Sequence, residues 1–137
     1  MIKNSIIQLY LRRILINGLE NDSIHIPIQY ENVESVNLDG TYIIEQLIPL
    51  DDTCFSGLFE AGSGIYKITV FSNSGDGLAF SDLCDTIANY FSLGTHIIDN
   101  NYRVCIDNAF VTGTLYSTNN DKIQRSINIE YRKFFNK

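Results

Sequence analysis

The feature that most constrains the fold is a change of hydrophobic period between residues 65 and 91. In residues 65–72 the apolar side chains alternate, which is typical of a strand. Residues 73–77 (Asn-Ser-Gly-Asp-Gly) interrupt this pattern. From residue 78 to 91 the apolar side chains recur three and four positions apart, which predicts a helix with one buried face. That face is formed by Phe80, Leu83, Cys84, Ile87, Ala88 and Phe91, with Asp82 and Asp85 on the solvent side.

A second helix is predicted at the N-terminus. Hydrophobic residues occupy positions 7, 10, 11, 14 and 15, with Ser5 available as the N-cap. We expect Gly18 to end this helix and Gly94 to end the later one. Additional apolar residues widen the hydrophobic stripe beyond one face, so the helix is expected to have two neighbours, one of which can be another subunit. These additional residues are Ile6, Leu9 and Ile16.

The remaining apolar segments predict strands. Residues 24–30 alternate, and Pro27 among them predicts a strand that lies at a sheet edge or is partly irregular, because proline cannot donate to a ladder. In residues 41–48 both the odd-numbered and the even-numbered positions carry apolar side chains, which favours a strand covered on both faces. Further strands are predicted at residues 95–98, 102–106, 109–117 and 123–134, the last two forming a long C-terminal hairpin. This order predicts a single α+β domain over residues 1–137, with two helices packed on one face of a mixed, largely antiparallel sheet.

Residues 50–64 combine turn-forming residues with large hydrophobic ones. The sequence therefore predicts a loop whose apolar side chains need a partner to cover them. We predict that Phe55, Leu58 and Phe59 contribute to an interface with another subunit or with a larger assembly.

Charge and hydropathy exclude several classes of protein. The chain has 10 Lys and Arg against 16 Asp and Glu, a net charge of -6, which argues against a groove that grips phosphates. No apolar stretch approaches the ~20 residues that a membrane-spanning helix needs. The N-terminal segment also lacks the pattern of a signal peptide, so we expect a cytoplasmic protein with reduced cysteines.

No motif for catalysis stands out. Cys84 and Cys105 lie within apolar elements, where cysteine is an inert hydrophobe, and Cys54 alone has a place where it could be exposed. His25 and His96 have no orienting partner nearby in the sequence. We therefore predict no catalytic residue.

Motifs for ions and phosphates are equally weak. No cysteine or histidine cluster has the spacing of a zinc site, although a weak divalent-ion site at Asp51-Asp52 or Asp99 stays open. Residues 75–77 precede a helix, but no Lys-Ser or Lys-Thr follows and Asp76 would repel an anion. We predict no cofactor and no structural metal.

The central block of the chain resembles one protein family. Residues 64–70 (Gly-Ile-Tyr-Lys-Ile-Thr-Val) precede a glycine-bearing loop and a helix that ends in residues 85–91 (Asp-Thr-Ile-Ala-Asn-Tyr-Phe). An N-terminal helix comes first, followed by a strand containing Pro27, and residues 127–131 (Ile-Asn-Ile-Glu-Tyr) form the last strand. In this order the chain resembles the tail terminator, or tail completion, proteins of long-tailed bacteriophages.

The resemblance implies a structural virion protein and not an enzyme. It implies a homo-oligomeric, hexameric ring at the head-proximal end of the tail tube, assembled in the host cytoplasm. Such a ring ends tube polymerisation, contacts the tube protein and the head-tail connector, and lets DNA pass its lumen without specific binding. An acidic lumen would suit that passage, because basic walls would hold the phosphates. The alternatives are another head-tail connector or minor tail protein, a small-molecule-binding domain, or a thiol hydrolase.

Overall fold

The computed structural model describes residues 3–31, 33, 40–56, 59–73, 77–116 and 122–136, with the backbone alone for residues 51–56 and 59. Two helices and seven strands are present in these residues. In chain order they are α1 (Asn4–Asn21), β1 (Ile28–Gln29), β2 (Tyr42–Ser56), β3 (Phe59–Asn73), α2 (Gly77–Asn89), β4 (Gly94–Ile97), β5 (Tyr102–Val111), β6 (Leu115–Tyr116) and β7 (Lys122–Asn136).

The strands form one sheet in the order β1-β2-β3-β7-β5-β4, and β6 pairs with β7 beside this path. The β1–β2 pair is parallel, and every other pair is antiparallel. The predicted α+β class with a mixed, largely antiparallel sheet is therefore confirmed.

Both helices pack on the same face of the sheet. Alternate residues of the central strands are buried against them, as the period of two requires. We call this the helix face, and the opposite side the open face. The core of the helix face includes Ile43, Tyr66, Ile68, Val70, Val104, Ile106, Ile127 and Ile129, together with Ile7, Leu11 and Leu15 of α1 and Phe80, Cys84 and Ile87 of α2.

Helix α1 forms where its periodicity predicted it, but both expected ends are wrong. Lys3 is the N-cap residue and makes no side-chain cap hydrogen bond, and Ser5 lies inside the helix. Gly18 also lies inside the helix, which continues to Asn21. A Cβ at Gly18 would stand 2.4 Å from the ring of Tyr90. The glycine therefore lets α2 approach α1, and does not end the helix.

Two predicted strands differ from the observed ones. In residues 24–30 only Ile28–Gln29 forms a strand, which lies at the sheet edge as Pro27 indicated. Residues 41–48 begin β2 but are covered on one side alone, because Ile44 and Gln46 lie on the open face and are exposed. The second set of apolar residues in this segment, which includes Ile44 and Ile48, therefore lies on the open face of a sheet that the helices cover on one side.

The predicted loop at residues 50–64 is also wrong. The backbone continues as two paired strands, with Cys54 opposite Glu60 and Ser56 opposite Phe59. A register shift between Pro49 and Asp52 marks a bulge, which is where the turn-forming residues are accommodated. Gly64 is needed inside β3 because a Cβ there would lie 2.3 Å from the Tyr131 hydroxyl. Glycines thus serve close packing here and not a loop.

The C-terminal hairpin is confirmed with altered boundaries. β5 runs from Tyr102 to Val111 and pairs with β7, with a register shift between Ile106 and Asn108, and the short β6 also pairs with β7. The end of the β2–β3 hairpin lies beside the C-terminal end of β7, because Phe59 pairs with Asn136. β6 pairs near the other end of β7, where Tyr116 is opposite Ile123, and β7 is a strand of 15 residues and about 50 Å. The two hairpins therefore point in opposite directions.

The second helix begins at Gly77, one residue before the predicted start at Leu78, and ends at Asn89, before the predicted end at Phe91, so Gly94 does not terminate it. Gly94 instead starts β4, with a φ of +113° that glycine adopts without strain.

Candidate interaction surfaces

A buried polar cluster ties α1 to the sheet. Glu45 of β2 is almost fully buried among the apolar residues of the helix face. Its Oε1 accepts hydrogen bonds from Arg12 Nη2 at 2.5 Å and from Gln8 Nε2 at 3.1 Å, and its Oε2 accepts one from the Tyr66 hydroxyl at 2.6 Å. Buried carboxylates are tolerated when they are paired and hydrogen-bonded in this way. The cluster therefore fixes the angle at which α1 lies across the sheet.

The same cluster holds Tyr30 and Glu31, which directly follow β1. The backbone N–H of Glu31 donates to Glu45 Oε1 at 3.1 Å, and Glu31 Oε2 accepts from the Leu47 N–H at 2.6 Å. Tyr30 packs its ring under the Arg12 guanidinium, 4.6 Å from the carbon to the ring centre. Sequence reasoning missed this cluster. The sequence feature that indicates it is a charged residue among the inward-facing positions of an apolar element, Arg12 in α1 and Glu45 in β2.

These contacts shift two ionisation equilibria. Burial raises the pKa of the Tyr66 hydroxyl, and the charge of Glu45 raises it further, so this phenol stays protonated. Burial acts to lower the pKa of Arg12, but the hydrogen bond and charge of Glu45 outweigh it and the pKa is raised. Arg12 and Tyr66 are therefore held as a cation and a neutral donor to Glu45.

A first groove lies between the C-terminal half of α1 and residues 24–30. Its volume is about 430 Å³, and its walls are largely isoleucine, with Glu20 and His25 among the polar residues that line it. We call it the β1 groove. It exists because residues 24–27 run beside α1 without joining the sheet.

A second groove runs along the outer face of α1. Ile6, Leu9, Tyr10 and Ile14 line it together with Ile98, in a volume of about 420 Å³, and Arg13 stands at its side. We call it the α1 groove. The sequence predicts that this helix has more apolar surface than one neighbour covers. Two of the additional residues, Ile6 and Leu9, line the α1 groove, and the third, Ile16, lines the β1 groove.

Large hydrophobic residues are exposed at both sheet edges and at one hairpin end. Ile97 of the edge strand β4 is 69% exposed, and Leu50 of β2 at the opposite side is 58% exposed. Tyr116 of β6 is 75% exposed, beside Leu115, which is also exposed. The described part of the chain thus presents exposed apolar side chains at several separate places in the fold.

The open face of the sheet is more basic than the chain as a whole. Among the described residues its charged side chains are four basic and two acidic, although the full chain carries a net -6. The exposed Arg132 guanidinium donates to the Asp107 carboxylate at 2.9 Å, and this hydrogen bond lowers the pKa of Asp107. The six residues are Lys67, Arg103, Lys122, Arg132, Asp107 and Glu130.

The cysteines and histidines are spread over the fold. Cys84 is fully buried, and burial raises the pKa of its thiol to about 11. The expectation that Cys105 is buried is wrong, because it lies half-buried on the open face, where it accepts a hydrogen bond from Arg132. His96 joins the Tyr10 hydroxyl at 2.9 Å and the Ser92 carbonyl oxygen at 2.8 Å, so both ring nitrogens are engaged.

The residues predicted to form an interface lie largely outside the part of the chain that the structure describes. The side chains of Phe55 and Phe59, and all of Leu58, lie outside the described residues, as does the side chain of Cys54. The backbone of residues 51–56 and 59 puts Phe55 and Phe59 at the far end of the β2–β3 hairpin. Within the described part of the chain, no group of three or more acidic, cysteine or histidine residues has the geometry to hold a metal ion. None of the helices described is both long and apolar enough to cross a membrane.

Comparison with known proteins is informative about the fold. No protein-family model matches the chain. No curated protein matches it either. One solved structure superposes with a TM-score of 0.68 at 11% sequence identity, over 100% of this chain and 98% of the other. The name of that protein says nothing about what it does. At this identity the likeness shows a shared α+β architecture along the full length of both chains.

Proposed function

We propose that this chain is a structural subunit that assembles into a ring, and that the ring is the tail terminator of a long-tailed bacteriophage. In this role it ends tube polymerisation at the head-proximal end, offers a joining surface to the head-tail connector, and surrounds a lumen for DNA. The proposal assigns no catalytic step and no cofactor to the chain.

The observation that carries the proposal is the presence of exposed hydrophobic residues on unlike, opposite sides of the subunit. Ile97 lies at the β4 edge, and Leu50 lies at the β2 edge on the other side of the sheet. A closed ring is built from head-to-tail contacts, in which two different surfaces of each copy meet. One self-complementary patch would instead favour a two-fold dimer.

The choice of a tail terminator depends on the sequence resemblance. Its element order, a helix, an edge strand, a strand–helix block and a final hairpin, agrees with the observed order of elements, although Pro27 directly precedes the edge strand β1 and is not part of it. The hairpins that point in opposite directions along β7 would suit a subunit that must contact a tube at one end and a connector at the other.

If the lumen is acidic, the subunit must be oriented so that the open face of the sheet does not line it. The open face carries four basic and two acidic side chains among the described residues. An acidic wall would therefore have to be formed by another surface of the subunit. An electropositive lumen in an assembled ring would contradict this part of the proposal.

The experiment that tests the proposal measures the mass of the purified protein in solution, with and without tail tubes of the encoding phage. We expect a ring, in solution or on tube ends, that is seen by electron microscopy as a closed cap of defined thickness. A protein that stays monomeric at high concentration and does not bind tube ends would contradict the proposal. A ring found at the portal and not on tubes would favour a connector or another minor tail protein.

One observation favours a different class. The β1 groove is apolar, has a volume of about 430 Å³ and includes Glu20 and His25, which is the size and composition of a small-molecule site. A chain that binds a hydrophobic ligand there and never assembles would be a small-molecule-binding domain. The thiol hydrolase alternative gains nothing from Cys84, since a buried thiol with a raised pKa is not nucleophilic at neutral pH.

A further inference from the structure

The α1 groove and the outer face of α2 are complementary, and we infer that the α2 helix of one copy docks in the α1 groove of the next. This inference rests on the proposed ring, and it names the two surfaces that meet. The two helices lie on the same face of the sheet but at different places, so one copy can offer its groove and its helix to two different neighbours.

The α1 groove and the outer face of α2 each leave apolar surface uncovered. Leu9 of α1 is exposed between the half-buried side chains of Ile6 and Tyr10. Leu78 of α2 is 86% exposed, more than any other large hydrophobic residue among those described. Burying these side chains against each other would remove apolar surface that neither helix can bury on its own sheet.

The α1 groove and the outer face of α2 also carry opposite charges. Arg13 stands beside the α1 groove and is exposed, and no hydrogen bond or ion pair joins its guanidinium to another described side chain. The outer face of α2 carries Asp82 and Asp85, both exposed, and neither carboxylate pairs with a described cation. An amphipathic helix that brings carboxylates to a groove with one unpaired arginine gains specificity as well as affinity.

The spacing of the apolar and charged residues is the same along the two helices. The groove extends from Ile6 to Asn17, and the outer face of α2 extends from Leu78 to Asn89, so each covers about 17 Å of helix. Arg13 follows Ile6 by seven positions, and Asp85 follows Leu78 by seven positions. In a parallel arrangement Leu78 therefore enters the groove beside Ile6 and Leu9 while Asp85 reaches Arg13. The contact joins two different surfaces, as a closed ring requires.

Charge reversal tests this pairing. Arg13→Glu alone and Asp85→Arg alone each place like charges opposite each other, and we expect roughly 100-fold weaker association for each. The double variant should assemble again, with opposite charges exchanged. An equimolar mixture of the two single variants should also assemble, because each groove then meets a helix of opposite charge. Glu20→Arg and Arg103→Glu, which reverse exposed charges elsewhere, are the matched controls and should assemble like the unmodified chain.

A second measurement does not depend on charge. A photoreactive phenylalanine analogue at position 78, which is exposed and so leaves folding intact, should form an adduct with residues 6–17 of another copy. Mass spectrometry of the cross-linked peptides identifies the partner segment. An adduct elsewhere, or with a different protein of the tail, would overturn the inference.

The outcomes separate this inference from the proposed function. If the unmodified protein forms rings and the single variants form them equally well, the helix–groove contact is wrong and the ring stands. If the single variants fail and their mixture does not recover, Arg13 and Asp85 do not meet, and the inference is again overturned. If the unmodified protein forms no oligomer even with tail tubes, both are wrong.

Discussion

Arg12 of α1 and Glu45 of β2 form an ion pair, with 2.5 Å between Nη2 and Oε1, inside the layer between helix and sheet. Glu45 is 1% exposed and accepts four hydrogen bonds in all, from Gln8, Arg12, the Glu31 amide and Tyr66. The pair joins the first helix to the strand that carries one edge of the sheet. The grooves on both sides of α1 depend on the position it fixes.

We therefore predict that Arg12→Met strongly destabilises the fold. It would leave the Glu45 carboxylate buried without its cation, which costs about 3–5 kcal/mol in comparable buried pairs. Urea unfolding of the monomer measures the change in the free energy of unfolding. Arg103→Met, which removes an exposed cation, is the control and should change stability by about 0.5 kcal/mol or less. Equal effects of the two variants would show that the buried pair contributes nothing.

Gly18→Ala should also be destabilising, although alanine is the better helix former. The added Cβ would stand 2.4 Å from the Tyr90 ring, so the two helices must separate. Overpacking of this kind costs about 1–3 kcal/mol. The double variant Gly18→Ala/Tyr90→Ala should show a smaller loss than the sum of the two single losses, since the clash is absent. Gly77→Ala, where nothing lies within 4 Å, is the control.

Alkaline pH should weaken the fold through buried groups whose protonated forms are favoured. Burial raises the pKa of Cys84 from 9.0 to about 11 and also raises that of Tyr66. A raised folded-state pKa stabilises the fold fully below the unfolded-state pKa. That stability is lost as pH rises through the folded-state pKa, which for Cys84 gives a window from about 9 to 11.

The Cys84 part of this loss is about 3 kcal/mol at most. Unfolding measured at pH 8, 9, 10 and 11 should show a flatter decline for Cys84→Ala than for the unmodified chain. Identical slopes for the two proteins would mean that the thiol does not ionise on unfolding in this range.

The end of the β2–β3 hairpin remains the place where we predict an interface from sequence. Replacing Phe55 and Phe59 by serine should reduce assembly while the far-ultraviolet circular dichroism of the monomer stays unchanged. The physical reason is the loss of apolar surface buried between subunits. Phe110→Ser, which removes a half-exposed ring from the open face, is the control. Unaltered assembly of the hairpin variant would show that these side chains cover their own subunit.

The sequence predicted the elements well where periodicity decides them, and poorly where contacts between distant residues do. The helical spacing from Phe80 to Ile87 and the alternation from Tyr66 to Val70 led directly to α2 and β3. Gly18 and Gly64 were interpreted as helix end and loop, because the aromatic rings that require them, Tyr90 and Tyr131, are distant in sequence.

The sequence predicts that α1 carries an exposed apolar surface, but not where that surface lies in the fold. Additional apolar residues on α1 indicate a second neighbour, and two of them, Ile6 and Leu9, line the α1 groove, whereas Ile16 lines the β1 groove. The buried Glu45 was not predicted, because a single acidic residue in an apolar strand gives no hint of its partner 33 positions away. The side of the sheet left uncovered also depends on how both helices pack, which no local pattern contains.

The central claim, that this chain acts by assembling and not by catalysis, is tested most directly by the mass of its complex in solution and on tail tubes. Sedimentation velocity across a range of concentrations, followed by electron microscopy of capped tubes, should reveal one closed oligomer of fixed copy number. A sharp monomer peak under every condition, with bare tube ends that continue to grow, would contradict it.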